Sequence, residues 1–128
     1  MKIFFINTAR GWGGGENWHL ETATAMRNKG HRVSVMATPG EELFQKALAR
    51  ELTLIPVQIT NLSFLNPFRI LKIKMLLKKE APDVIILNFS SDLKTIGIAA
   101  HLAGIKNIIY RRGNAKAIRN SLLNRFLF

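Results

Sequence analysis

The sequence predicts an α/β domain built on a doubly wound parallel sheet with at least five βα units. Segments typical of strands and of helices alternate along the 128 residues. The strand segments are apolar throughout, which is typical of parallel strands covered by helices on both faces. A glycine-rich stretch at 11–15 follows the first strand segment directly and precedes a helical pattern, as in ligand-binding folds of this class.

The elements of the first half follow in order. Ile3–Asn7 is an apolar strand that ends at the glycine-rich stretch. Glu16–Lys29 is predicted to be a helix because apolar residues recur at helical spacing and Gly30 supplies a C-terminal stop. Arg32–Ala37 is the second strand. Glu41–Arg50 is a helix with acids first and a base last, as the helix dipole favours.

The second half repeats this alternation. Leu52–Val57 is a short third strand. Asn66 is an N-cap followed by proline at the first helical position, so a helix is predicted over Pro67–Glu80. Asp83–Asn88 is a fourth strand, buried on both faces. A helix is predicted over Asp92–Ala103, and a fifth strand over Asn107–Tyr110. A last helix begins at about Asn114.

The chain has the size and composition of one globular domain. Its 48% apolar and 21% charged residues are ordinary values, and no stretch approaches the ~20 apolar residues of a membrane span. The absence of cysteine excludes disulfides and thiolate metal sites and favours a cytoplasmic location. Because an apolar pattern continues to Phe128 without a helix cap, we expect the chain to be cut short.

Positive charge is concentrated in the second half of the chain. Residues 1–64 hold seven basic and five acidic side chains, whereas residues 65–128 hold twelve and three. This asymmetry predicts an anionic partner: a phosphorylated ligand, an anionic membrane or nucleic acid. Nucleic acid is not expected, because the bases are not interleaved with aromatic residues in a recognisable module. A basic surface without a specific target is the alternative.

The glycine-rich stretch predicts an anion site, but not one for a dinucleotide. A glycine loop that opens a helix points backbone N–H groups and the positive end of the helix dipole at one spot. A dinucleotide motif requires a third glycine where Glu16 stands, and an acid to bind ribose after the second strand, where Thr38 stands. The loop therefore brings the backbone close to a different group; an unoccupied tight turn is the alternative.

The glycine-rich stretch is one of three loops that line a predicted crevice at the carboxyl ends of the strands. With the strand order 3-2-1-4-5, ligands bind between strands one and four. The loops that line this crevice are Thr8–Glu16, Asn88–Asp92 and Arg111–Asn114. Arg111 and Arg112, followed by Gly113, are suited to clamp a phosphate or carboxylate, with one arginine in the crevice and one toward a helix layer. Trp12 either stacks on a ligand or packs, and Trp18 is assigned to packing.

Other residue types predict neither a metal site nor nucleophilic hydrolysis. The three histidines lack metal-ligand spacing, and His101 lies on a helix far from any strand end. Asp83 and Asp92 are isolated from other acids. Ser90 and Ser91 have no plausible histidine partner and no nucleophile elbow.

The helix at Pro67–Lys79 is a candidate membrane-surface element. Its apolar residues spread around most of its circumference instead of forming one stripe. The bases among them are Arg69, Lys72, Lys74, Lys78 and Lys79. At about 1 kcal/mol per base near an anionic leaflet, they give only roughly millimolar attraction, so apolar side chains must contribute too. A core helix with solvated lysines is the alternative.

The order of these motifs resembles the N-terminal domain of family 4 glycosyltransferases of the GT-B fold. The matching segments are Gly13-Gly14-Gly15-Glu16, residues 28–35, residues 81–85 and residues 99–105. The resemblance implies a Rossmann-like, acceptor-side domain over residues 1–128, with the nucleotide-sugar-binding C-terminal domain absent. It implies transfer of a hexose-type sugar from a nucleotide-sugar to a lipid-linked or polysaccharide acceptor, as in cell-envelope synthesis.

The resemblance also implies where the ligands lie. It places Gly13, Gly14, Gly15 and Glu16 beside the donor diphosphate, and it is consistent with the cleft set Trp12, Asn88, Ser90, Arg111, Arg112 and Gly113. Many relatives carry His-Gly after strand five, where this chain has Arg112-Gly113. Because arginine stays protonated near neutrality, no catalytic residue is assigned.

Taken alone, the domain is expected to be inactive. No metal or cofactor is expected beyond the nucleotide-sugar co-substrate, and the location is cytoplasmic or peripheral on the inner face of the membrane. Two alternatives stay open: a stand-alone anion- or nucleotide-binding module, and a basic peripheral-membrane binding domain.

Overall fold

The chain folds into alternating strands and helices in the order the sequence predicts. The computed structural model describes residues 1–8, 10–57, 59, 65–88 and 90–111, without the side chains of residues 90 and 91. Within this part, the strands are β1 Lys2–Asn7, β2 Arg32–Ala37, β3 Thr53–Pro56, β4 Val84–Leu87 and β5 Ile108–Tyr110. The helices are α1 Gly14–Asn28, α2 Glu42–Ala49, α3 Pro67–Glu80 and α4 Ser90–Ala103.

The five strands form one parallel sheet in the order β3-β2-β1-β4-β5. This confirms the doubly wound prediction, and it places the point where the winding reverses between β1 and β4. In register across the sheet, Ile6 lies beside Leu87, and Leu87 lies beside Tyr110. Ligands of open α/β sheets bind outside the carboxyl ends of the strands at such a point.

Each face of the sheet has its own apolar core. Phe5 packs with α1 and α2 on one face, and Phe4 packs with α3 and α4 on the other, because successive side chains of a strand alternate. Both rings are fully buried, which contributes roughly 2 to 3 kcal/mol for each ring. The sheet thus has an α1–α2 face and an α3–α4 face.

The edge strands depart from the prediction of strands covered on both faces. β3 is only half-buried, and in β5 the side chain of Ile109 is exposed. Both strands are also shorter than predicted. Pro56 ends β3 at the outer edge of the sheet, where a proline is tolerated because the edge does not require every N–H of the ladder.

Helix α3 has the predicted bounds because its ends carry strong signals. The Asn66 side chain accepts hydrogen bonds from the backbone N–H groups of Phe68 at 3.0 Å and Arg69 at 3.4 Å. After Glu80 the chain turns through Ala81, whose φ of 46° is left-handed. Within the described residues, no helix is both long and apolar enough to cross a membrane. The predicted last helix from Asn114 lies outside the described residues, as do Arg112 and Gly113.

Candidate functional site

Three polar side chains form a row at the carboxyl edge of the sheet. Asn7, Asn88 and Arg111 each follow a residue of the buried row Ile6, Leu87 and Tyr110, which packs on the α3–α4 face. Because side chains alternate along a strand, the polar row points to the opposite face, beneath α1. The sheet thus brings the ends of β1, β4 and β5 together, as predicted.

Gly15 is the point at which α1 approaches this row. A Cβ atom on Gly15 would lie 1.9 Å from Nδ2 of Asn88 and 3.1 Å from its Cγ, so only glycine fits without moving Asn88. The structure shows that Gly15 approaches the side chain of Asn88, and the predicted approach of the loop to an anion stays a prediction. In a dinucleotide motif, the third glycine lets the helix pack closely against the sheet. In this chain Gly15, one position before the place of that third glycine, allows the close packing.

The N-terminus of α1 has no side-chain cap within the described part of the chain. The N-cap residue Gly13 is extended, and no side chain of the described residues caps the first N–H groups of the helix. Gly13 and Gly14 are exposed, whereas Gly15 and Glu16 are half-buried. The first N–H groups of a helix need acceptors from outside it, and an anion satisfies them well.

Hydrogen bonds fix the loop before α1 to three other elements. The N–H of Gly11 donates to Oε1 of Glu41 at 2.8 Å, at the start of α2. The hydroxyl of Thr38 donates to the Thr8 carbonyl at 3.1 Å. On the α3–α4 face, the N–H of Thr8 donates to Oδ2 of Asp92 at 2.9 Å, and the Thr8 hydroxyl donates to Oδ1 of the same carboxylate.

The Asp92 carboxylate is fully buried in the first turn of α4. Burial raises its pKa to about 6, and the two hydrogen bonds from Thr8 pull it down against that effect. The carboxylate therefore joins the glycine loop to α4 across the point where the winding of the sheet reverses. It holds the loop in place rather than facing a ligand.

Replacing Asp92 by alanine is expected to lower the free energy of unfolding by about 1 to 3 kcal/mol, because two buried Thr8 donors lose their acceptor. Urea unfolding at pH 7 measures this. Asp83→Ala is the control, since Asp83 is exposed and accepts one backbone bond, from Lys2. Equal costs for the two variants would contradict the anchoring role of Asp92.

Arg111 is held by an aromatic group under α1. Its Cζ lies 4.3 Å from the centroid of the Trp18 ring, within cation–π range. His19 packs edge-on against Phe5, with ring centroids 5.6 Å apart, and it also contacts Trp18. Burial, and after it the charge of Arg111, lower the pKa of His19 to about 3, so the imidazole is neutral at pH 7.

Several buried polar atoms of this site have no hydrogen-bond partner among the described residues. They are Nη1 of Arg111, Oδ1 of Asn88 and both ring nitrogens of His19. An anion beside Arg111 and the α1 N-terminus would supply acceptors, and a ligand hydroxyl would supply a donor to Asn88. Such unsatisfied groups are costly in a folded protein unless something pairs with them.

The other predicted site residues are distributed around this cluster. Trp12 is half-buried against the α1–α2 core, with Nζ of Lys46 at 4.9 Å from its ring centroid. Ser90 begins α4. Trp18 packs against the core as predicted and also supports Arg111. Among the described residues, no group of three His, Asp or Glu side chains is placed to hold a metal.

The sequence did not indicate the contacts that four residues make at this site: Thr8, His19, Thr38 and Asp92. Thr8 and Asp92 are 84 positions apart, so no local motif joins them. The one available signal is position: Thr8 and Thr38 each directly follow a strand at the carboxyl edge, and Asp92 lies in the first turn of a helix there.

Comparisons with known proteins agree with this architecture. The sequence profile of Glycosyltransferase Family 4 matches residues 12–127. A glycosyltransferase from Rickettsia africae superposes with a TM-score of 0.72 at 18% identity, over 98% of this chain and 34% of that one. MurG of Acinetobacter baumannii gives 0.67 at 22% identity, over 99% and 39%. Anabaena Alr3699/HepE in complex with UDP-glucose gives 0.69 at 19% identity, over 99% and 34%.

These structures share the fold with the chain, which spans between 34% and 39% of their lengths. No curated protein matches the sequence significantly. The predicted Rossmann-like fold of a GT-B N-terminal domain is confirmed by the parallel sheet and these superpositions. Because the family profile also covers nearly all of the sequence, the chain belongs to Glycosyltransferase Family 4.

Proposed function

We propose that the chain is the N-terminal, acceptor-side domain of a glycosyltransferase that moves a hexose-type sugar from a nucleotide-sugar to a lipid-linked or polysaccharide acceptor. The observation that carries this proposal is the convergence of Gly15, Asn88 and Arg111 beside the uncapped N-terminus of α1. Family membership supports it, as does the UDP-glucose complex of a protein with the same fold.

The site is suited to stabilise negative charge. In sugar transfer from a nucleotide-sugar, the leaving nucleoside diphosphate gains charge as the bond to the sugar breaks. A fixed guanidinium and free helix N–H groups aimed at that position stabilise the developing charge without needing to rearrange. Arg111, held on Trp18, supplies the guanidinium, and Gly13, Gly14 and Gly15 line the helix terminus.

Neither Arg111 nor His19 is suited to carry a proton at neutral pH. The guanidinium stays protonated, and burial keeps His19 neutral, with its pKa near 3. Any acid–base catalysis must therefore come from other groups, such as the acceptor or the second domain. Asn88 serves instead as a neutral partner whose Oδ1 accepts a hydrogen bond from a sugar or acceptor hydroxyl.

The proposal predicts that sugar transfer requires a second α/β domain. The 128-residue chain should show no transfer from UDP-, GDP- or TDP-sugars to a bacterial lipid extract, whereas a protein extended by its C-terminal domain should. Radiolabel incorporation measures this, and circular dichroism verifies that the short chain is folded. Turnover by the short chain, or none by a folded extended protein with any donor, would contradict the proposal.

A peripheral position on the inner face of a membrane is the second part of the proposal, and helix α3 supports it. Phe68 is 81% exposed, Leu71 50% and Met75 62%, although all three are apolar. Their spacing of three and four residues puts them on one stripe, opposite the buried Ile73 and Leu77. The apolar residues of α3 thus lie on two faces, one buried and one exposed, and the exposed face supports the proposed contact with a membrane.

The bases of α3 accompany this exposed stripe. Arg69, Lys72, Lys78 and Lys79 are exposed, and Lys74 is half-buried. An apolar stripe flanked by bases is typical of helices that lie in the interface of an anionic membrane. The cytoplasmic location proposed for the enzyme makes the inner leaflet the available membrane.

Removing two residues of the stripe is expected to weaken membrane binding more than removing two exposed apolar residues elsewhere. Phe68→Ser with Leu71→Ser should lower co-sedimentation with phosphatidylglycerol vesicles about tenfold. The control, Ile98→Ser with Leu102→Ser, changes two exposed residues of α4 and should have less than a twofold effect. Equal losses for the two pairs would contradict a role for α3.

A further inference from the structure

The chain carries all of its sulfur in four methionines, because it has no cysteine. Peroxides oxidise protein sulfur readily, and the susceptibility of a thioether follows its exposure. Met36 is fully buried in β2, and Met26 is half-buried against the core of the α1–α2 face. Met75 of α3 is 62% exposed, and Met1 68%. Met75 is therefore the methionine inside a helix or strand that an oxidant in solution reaches most easily.

Met75 lies on the exposed apolar stripe of α3. It follows Leu71 by four positions and Phe68 by seven, so the three side chains lie one above another on the helix. Lys72 is three positions before Met75 and Lys79 four after it, and both of these neighbours are exposed. The one oxidisable atom of the stripe thus lies among the groups proposed to contact the membrane.

We infer that Met75 is a reversible oxidation site that controls the attachment of the chain to a membrane. In the reaction, a lone pair of the Met75 sulfur attacks one oxygen of hydrogen peroxide, and the O–O bond breaks. The transferred oxygen gives its proton to the leaving hydroxide, which departs as water. The thioether is oxidised to a sulfoxide and the peroxide is reduced. This inference rests on the proposed membrane position of α3.

The sulfoxide is expected to weaken the membrane contact because it replaces an apolar side chain by a polar one. To enter the lipid interface, the S–O group must give up its hydrogen bonds with water, which is costly without a new partner. The apolar area that the thioether buries in the membrane is lost at the same time. The attraction of Lys72 and Lys79 to an anionic leaflet remains, but charge alone holds the chain only weakly.

Oxidation at this position leaves the fold in place. The core contacts of α3 are made by Ile73 and Leu77, which lie on the opposite side of the helix from Met75. The modification is also reversible, because a dithiol-dependent methionine sulfoxide reductase removes the oxygen as water while its two thiols become a disulfide. Met75 can therefore change the membrane affinity of a folded chain in both directions.

The experiment oxidises the chain with hydrogen peroxide and then measures co-sedimentation with phosphatidylglycerol vesicles. Peptide mass spectrometry should find the added oxygen on Met75 and Met1 while Met36 keeps its thioether, and circular dichroism verifies that the chain stays folded. Vesicle binding should fall about tenfold. Treatment with a methionine sulfoxide reductase and dithiothreitol should restore it.

Variants separate Met75 from the other methionines. Met75→Leu keeps an apolar side chain without sulfur, so it should bind vesicles like the untreated wild type both before and after peroxide. Met26→Leu is the matched control in α1, and it should lose binding after peroxide as the wild type does. Met75→Gln places a polar side chain on the stripe, so it should bind about tenfold more weakly without any oxidant.

Three results would overturn the inference. They are unchanged binding by a wild type that is fully oxidised at Met75, equal losses after peroxide in the wild type and Met75→Leu, and wild-type binding by Met75→Gln. In each of these cases the untreated chain still binds vesicles, so the proposed membrane position of α3 stands. If the folded, untreated chain does not bind them at all, that position and the role of Met75 are both wrong.

Discussion

Replacing Gly15 by alanine is expected to displace Asn88 from the crevice, because the new Cβ would lie 1.9 Å from the Asn88 amide nitrogen. Relative to Gly14→Ala, the free energy of unfolding should fall by about 1 kcal/mol, because the end of the Asn88 side chain has to move. In the extended two-domain protein, sugar transfer should fall about a hundredfold, since small misplacements of groups that position a substrate have effects of this size. Urea unfolding and the transfer assay measure the two effects.

Gly14→Ala is the matched control. Gly14 stands one position earlier in the same helical turn, and an added Cβ there meets no atom within 4 Å. The control gains the same helix propensity, so the difference between the two variants reports the contact with Asn88. Adding Asn88→Ala to Gly15→Ala should restore the lost stability. If Gly14→Ala and Gly15→Ala behave alike, Gly15 does not have the role given to it here.

Removing the buried imidazole of His19 is expected to make the chain markedly more resistant to acid. The folded-state pKa of His19 is about 3, below the ordinary value of 6.5. Between these values the unfolded chain takes up a proton that the folded chain does not, so stability is complete above pH 6.5 and is lost as the pH falls toward 3. His19→Leu should therefore gain about 3 kcal/mol over the wild type between pH 7 and pH 4.

Asp92 has the opposite effect on the pH dependence of stability. Its folded-state pKa of about 6 lies above the ordinary 3.8, so the folded chain keeps its proton longer and gains stability as the pH falls from 6 to 3.8. This gain offsets much of the loss from His19 in the wild type, and it should appear in the His19→Leu variant as stability rising below pH 6.

Urea unfolding at several pH values measures both effects. His101→Leu is the control for the His19 variant, because it removes an exposed histidine of α4 and leaves His19 in place. The control should keep the pH dependence of the wild type. A His19→Leu variant that follows the wild type across pH 4 to 7 would contradict the burial of a neutral imidazole.

Local chemistry explains why most of the fold was predictable from the sequence. Strands that are apolar throughout indicated a parallel sheet, and the spacing of strand and helix segments gave the order that is observed. Helix α3 has its predicted bounds because Asn66, Pro67 and the turn at Ala81 act within a few residues of its ends. The least accurate bounds are the starts of α1 and α4, which each begin two residues before the predicted position, at Gly14 and Ser90.

The candidate site was predictable only in part. The row at the carboxyl edge follows from the sheet order, which the sequence indicated, so Asn88 and Arg111 were named. His19 was not named as a site residue, because nothing in the sequence shows that a histidine inside a helical pattern is fully buried. The partner of Gly15 was not predictable either. A glycine-rich sequence shows that close approach is permitted, but it does not show that the approaching side chain is Asn88, which lies 73 positions away.

The most direct test of the account is the sugar transfer activity of Arg111→Met in the two-domain protein. Arg111 stands at the carboxyl end of β5, with its guanidinium on Trp18. The control is Lys106→Met, which removes an exposed base before the amino end of the same strand, at the far edge of the sheet. We predict that Arg111→Met lowers transfer at least about tenfold while Lys106→Met retains wild-type transfer. Wild-type transfer by a folded Arg111→Met protein would contradict the assignment of the crevice as the site of reaction.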